Sequence, residues 1–147
     1  MTIKSLSAAK KLCELSEWKF SNLVVQKILY IAHMVHLTKF DKPLVHENFE
    51  AWDYGPVLPI VYGHLKPFGA NPVGNVFRGI PNAEGEEEIE VLTAAVASLS
   101  NRRPGDLVAM THREGGAWAK HYSPERKGII IPNDDIIAEY RDIVNGR

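Results

Sequence analysis

The sequence predicts a mainly helical α+β domain. It reads as a compact bundle of about five to seven helices around a buried central helix at about 22–38, with two or three short β-strands. Three observations lead there. The stretch "LVVQKILYIAHMVHL" is apolar almost all round, the mark of a helix inside a domain rather than on its surface. Two other stretches, "EEEIEVLTAAVASLS" and "DDIIAEYRDIV", repeat apolar residues at helical spacing behind acidic first turns. Between them, Phe49, Ala51 and Asp53 alternate with Glu50, Trp52 and Tyr54, a two-residue period typical of a short strand.

The elements follow in order. Residues 5–16 form a first helix, with Leu6, Ala9, Lys10, Leu12 and Cys13 on a rough 3.6-residue period. Cys13 falls among core positions, where a free cysteine behaves as a small hydrophobe. Ser21 or Asn22 can cap the central helix. Leu23, Val24, Ile28, Ile31 and Val35 make one face of it, and Val25, Leu29, Ala32 and Met34 extend the apolar surface around the rest. At about 1.5 Å per residue it is roughly 25 Å long, the width of a small domain. Its few polar residues are therefore informative, and Gln26, Tyr30 and His33 fall at i, i+4 and i+7 on a single face.

The strand at 49–54 runs into "GPVLP". Residues before proline avoid helical geometry, whereas Pro59 suits a first helical position. Gly55, Pro56 and Pro59 thus make a stiff corner from strand to helix, the helix running from Pro59 to about Phe68 and burying Ile60, Val61, Leu65 and Phe68. Residues 69–85 are a long loop with a short extended piece at Val76-Phe77. Ile89, Leu92, Val96 and Leu99 form the stripe of the next helix, with Glu86, Glu87 and Glu88 as its solvated start. Pro104 opens a short helix, "REGGAW" is a turn and "KGIIIP" a second strand candidate. Asn133 caps the last helix, with Ile136, Ile137, Tyr140, Ile143 and Val144 facing the core. The whole of 1–147 reads as one domain.

Composition narrows the function. Apolar residues make up 45% of the 147, enough for a core without disulfides, and Cys13 is the one cysteine. Neither an internal disulfide nor a thiolate zinc site is then available, which fits a reducing, cytoplasmic setting. The start "MTIKSLSAAKKLCEL" interrupts every apolar run with lysine and reads as no signal peptide. A net charge of -1 argues against a protein built to grip nucleic-acid phosphates.

Catalytic chemistry finds little support. There is no Gly-x-Ser-x-Gly elbow, no glycine-rich phosphate loop and no His-Glu-x-x-His. His33 and His36 are spaced to chelate, but no carboxylate stands four residues on, and a satisfied core histidine is the simpler reading. A small hydrolase built on His33, His112 and Asp53 is the weakest of the alternatives. No cofactor and no metal is expected. What stands out is a set of large, part-polar side chains near loops: Trp52, Tyr54, Tyr62, His112, Trp118 and Tyr122. They are either anchors for a protein partner or walls of the domain's own core.

Taken together, "VVQKILYIAHMVHL", "FEAWDYGPVLPIVYGHLKPFGANPV", "LVAMTHREGGAW" and "GIIIPNDDI" resemble the Panacea domain family of bacterial SocA-like and phage-associated GepA-like proteins. The resemblance covers about residues 20–140 in order; Ala117 stands where members often have proline. It implies a non-enzymatic antitoxin that binds and neutralises a cognate protein toxin. It also implies an alternative, a proteolytic adaptor that delivers the toxin or another client to a ClpXP-type protease. The partner-binding residues expected are Trp52, Asp53, Tyr54, His112 and Trp118, beside the 69–85 loop. Gln26, Tyr30, His33, Gly55, Pro56 and Pro59 are the structural motif. Neither a membrane nor nucleic acid is expected as a partner.

Overall fold

Helix α2, Asn22–Phe40, runs through the middle of the molecule. The structure is a computed structural model that describes residues 2–146. Ser21 caps α2, its hydroxyl accepting from the Val24 N–H, and Asp41 ends it in a left-handed conformation. Helices α1 (Ser5–Leu15), α3 (Pro59–Leu65), α4 (Glu86–Leu99), α5 (Pro104–Thr111) and α7 (Asn133–Val144) all pack against it. Val25, Ile28, Leu29 and Tyr30 are wholly enclosed, together with Ala8, Ala9, Leu12 and Leu92 from its neighbours, whereas Leu23, Val24, Ile31 and Val35, expected on one buried face with Ile28, are only half-buried. Cys13 is buried with them, and desolvation pushes its thiol up to about 12. Among the described residues there are seven α-helices and one two-stranded sheet, and no helix is long and apolar enough to cross a membrane.

The proline corner is a hairpin. Strand β1 (Glu50–Trp52) pairs antiparallel with β2 (Gly55–Val57), Ala51 facing Pro56. Gly55 makes the reversal possible, because its φ of +115° suits only a residue without a side chain. The expected strand thus stops at Trp52, and Gly55 and Pro56 belong to its partner. Pro59 does open α3 at its first position. The "KGIIIP" segment lies along the free side of β1 as a bridge rather than a full strand. Ala51 N–H donates to Ile129 O at 2.9 Å and Ile131 N–H to Phe49 O at 2.8 Å.

Other expectations need correction. α3 gives way to a 3-10 turn at Lys66–Phe68, and Ile60 points outward, 48% exposed. Val76-Phe77 forms no strand. The loop is instead pinned by buried Val73, Phe77 and Ala83 and by the Val73 N–H bond to Phe20 O. In α4 the buried stripe is Val91, Leu92, Ala95, Val96 and Leu99, with Ile89 only half-buried. Glu88 is no solvated residue: it is buried, 3.6 Å from the equally buried His36. A five-residue helix, α6 (Ala117–His121), follows the "REGG" turn. In α7, Pro132 takes the cap position and Asn133 is the first helical residue, its side chain turned to His33. That helix buries Ile136 and Glu139 while Ile143 and Val144 are exposed, because its last turn runs past the end of the core.

This corrected α7 face is testable by urea denaturation. Ile136→Ala should lose about 2–5 kcal/mol, the range for emptying a core site. Ile143→Ala should stay within about 0.5 kcal/mol, as exposed positions do.

Candidate functional site

Buried polar groups on α2 decide where the neighbouring segments lie. Gln26 Oε1 accepts from the Leu58 N–H at 2.9 Å, and its amide donates to Asn22 at 3.0 Å. Tyr30 donates to Glu139 at 2.8 Å, and Glu139 also accepts from the Ala117 N–H at 3.1 Å. A proline at 117 would have no such N–H. Burial holds Glu139 above the ordinary carboxylate range, against the opposing pull of these two hydrogen bonds. It raises the Tyr30 phenol as well, with Glu139 adding to the effect. His33 Nε2 donates to Asn133 Oδ1 at 2.9 Å, and burial lowers the imidazole to about 4, so the ring is neutral near pH 7. The three residues aligned in the sequence therefore fasten two other segments, Gln26 the start of α3 and Tyr30 with His33 the helix α7, as structural residues do.

Lys27 sits on the same helix and is wholly enclosed. Its ammonium donates to the Pro56 carbonyl at 3.0 Å, and desolvation lowers it to about 7. Gly55 faces it directly: a Cβ there would lie 2.8 Å from Lys27 Nζ and 3.1 Å from the His112 ring. Sequence reading missed Lys27, because a lysine on a helix ordinarily reaches water. The one available signal was its place within an otherwise apolar circumference.

Above this floor stands a pile of rings. His112 stacks on Trp118 at 3.8 Å between centroids, and Trp118 on Tyr122 at 4.6 Å. The pile is tied to the hairpin at two points. Trp118 Nε1 donates to Trp52 O at 2.7 Å, and the Tyr122 hydroxyl donates to Asp53 at 2.6 Å. Burial first, then the Lys27 charge, lowers the His112 imidazole. Trp52 packs edge-on against Tyr62 at 4.9 Å and donates to Glu50, while Tyr54 at the hairpin tip is 74% exposed. The structure thus brings Trp52, Asp53, Tyr54, His112 and Trp118 to one side of the molecule. His33 belongs elsewhere, in the core. Tyr62 and Tyr122 join the cluster, and Tyr122 gives Asp53 the partner the sequence did not reveal.

The hairpin forms one wall of a groove of about 870 Å³, whose other walls are the start of α2, Tyr62, Lys66 and the segment 122–128. Its surface is aromatic, with Lys66, Arg126 and Lys127 facing Glu50 and Asp53. Among the described residues no three His, Cys, Asp or Glu side chains gather to hold a metal ion.

A central helix with a buried polar ladder, short helices around it and an aromatic groove beside a hairpin define a small, mainly helical α+β domain. A family model described as antitoxin SocA-like, Panacea domain, matches residues 25–119, from the first turn of α2 to the ring pile. The chain belongs to that family. It is 33% identical over 108 residues to antitoxin SocA of Caulobacter vibrioides (strain NA1000 / CB15N). The match covers 67% of this chain and 57% of that relative, so the chain spans little over half the relative's length. No solved structure matches.

Two predictions concern the floor of the groove. Gly55→Ala should cost at least about 1–3 kcal/mol, because alanine at this φ is strained and its methyl meets an enclosed lysine. For Lys27, the unfolded chain holds the proton up to about pH 10.5 and the folded chain releases it near 7. Between these values the unfolded state binds more protons, so the lysine's penalty is full below pH 7 and fades as pH rises. The stability of Lys27→Met relative to the parent should therefore be most favourable near pH 6 and decline steadily toward pH 10 in paired denaturation curves.

Proposed function

We propose that the chain is an antitoxin, a single non-enzymatic domain that neutralises a cognate protein toxin in the cytoplasm by binding it directly. The observation that carries this reading, beyond the family and its antitoxin relative, is the exposed tip of the β1–β2 hairpin. Tyr54 stands in solvent beside half-buried Trp52, on a backing that has little freedom to move. Trp and Tyr held rigidly offer large contact area with little rotamer entropy left to lose, which is how binding hot spots are built. The ring pile and the Lys27–Pro56 bond supply that rigidity from behind. Trp52, Asp53 and Tyr54 would meet the toxin, while His112 and Trp118 hold them in place.

Co-expression with the product of the neighbouring small gene tests the reading. The chain should restore growth and co-purify with that product. Tyr54→Ala, at an exposed position, should leave the melting temperature unchanged and weaken binding by about tenfold or more, as loss of an aromatic anchor does. Failure of the parent chain both to rescue and to co-purify would refute the antitoxin role. Toxin lifetime separates masking from delivery: a masked toxin persists in the complex, whereas one handed to a ClpXP-type protease disappears only in cells that have the protease.

A further inference from the structure

The charge of the groove beside the hairpin is out of keeping with the rest of the chain. The sequence as a whole carries -1, yet Lys66, Arg126 and Lys127 line this one groove. All three are exposed, and among the described residues none has a carboxylate partner. The two acids in the same walls are already engaged. Glu50 accepts from Trp52 Nε1 at 3.0 Å, and Asp53 accepts from the Tyr122 hydroxyl. Both carboxylates keep their charge but are held by neutral donors, so three cations face two acids and the groove has positive charge in excess.

The walls add apolar surface. Trp52 and Tyr62 both line the space and pack edge to face against each other. About 870 Å³ lies within the roughly 300–1,000 Å³ typical of sites that hold a molecule, and far exceeds a single ion. The backbone edges are closed. Segment 129–131 pairs with β1, and Gln26 and Lys27 take the backbone groups at the far end of β2. An incoming chain therefore has no strand edge to extend and must be held by its side chains.

We propose that this groove is the docking slot for a short acidic segment of the partner protein, its carboxylates paired with Lys66, Arg126 and Lys127 and an apolar side chain laid against Trp52 and Tyr62. The proposal rests on the antitoxin reading, which supplies the partner. Cations beside aromatic rings also suit single-stranded nucleic acid, but three free cations on a chain of net negative charge favour the peptide.

The test uses the full chain and the neighbouring gene's product, with affinity measured at two salt concentrations. Lys66→Glu/Arg126→Glu/Lys127→Glu should keep its melting temperature and bind on the order of 10- to 100-fold more weakly. A matched reversal of exposed charges outside the groove, Lys4→Glu/Lys19→Glu/Arg102→Glu, should change affinity by no more than about twofold. Binding by the parent should weaken with added salt, and an Asp/Glu→Lys variant of the partner that loses the parent should regain the reversed groove. If the groove reversal binds as the parent does, the slot is wrong and the antitoxin role stands. If a short oligouridine binds the parent, competes with the partner and is lost on reversal, the groove is a nucleic-acid site and the proposal falls. If the parent binds no partner, both readings fall together.

Discussion

Each polar side chain that α2 carries deep into the core takes at least one partner there, and this requirement arranges the rest of the molecule. An unpaired buried donor or acceptor costs about 1–3 kcal/mol, a large share of a small domain's stability. Gln26 meets it at the N–H of Leu58, Lys27 at the carbonyl of Pro56, Tyr30 at Glu139, His33 at Asn133 and His36 at the Lys42 carbonyl. Apolar packing around such a helix could be satisfied by many orientations of its neighbours. Hydrogen bonds of fixed length cannot, so the polar ladder selects one arrangement.

The hairpin inherits its placement from this ladder. Two adjacent residues of α2 hold the second strand and the residue that leads into α3, while the ring pile presses on the hairpin from α5 and α6. The glycine between lysine and imidazole is what allows three elements to come so close. A feature that read as a joint between strand and helix is therefore both things at once. Its inner side is framework, and its tip is the most exposed aromatic surface on this face.

How much of this was legible follows from the range of each interaction. The central helix was readable because its apolar residues cover the whole circumference, a property of one continuous segment. The alignment of Gln26, Tyr30 and His33 was readable for the same reason. Their partners were not, since Leu58, Glu139 and Asn133 lie 32, 109 and 100 residues away and nothing local announces them. Glu139 and Glu88 looked like ordinary polar-face residues of amphipathic helices. Ile60, Ile143 and Val144 look like core residues for the converse reason, apolar side chains on helices that outrun the core. α6 is too short for periodicity to show, and the groove exists only where segments distant in sequence meet.

The separation of Tyr30 and His33 from their partners has a consequence for the order in which the chain can fold. During synthesis the central helix emerges about a hundred residues ahead of Asn133 and Glu139. Until they arrive, the middle of that helix holds a phenol, an imidazole and a long apolar surface with nothing to close over them. Local contacts from α1, the hairpin and α4 can form first, but closing a loop of about a hundred residues is the late and entropically costly step. A nascent or truncated chain that stops short of α7 would expose part of its longest helix and so be prone to aggregation. Helix α7 thus closes the core: until Asn133 and Glu139 are in place, His33 and Tyr30 lack their partners.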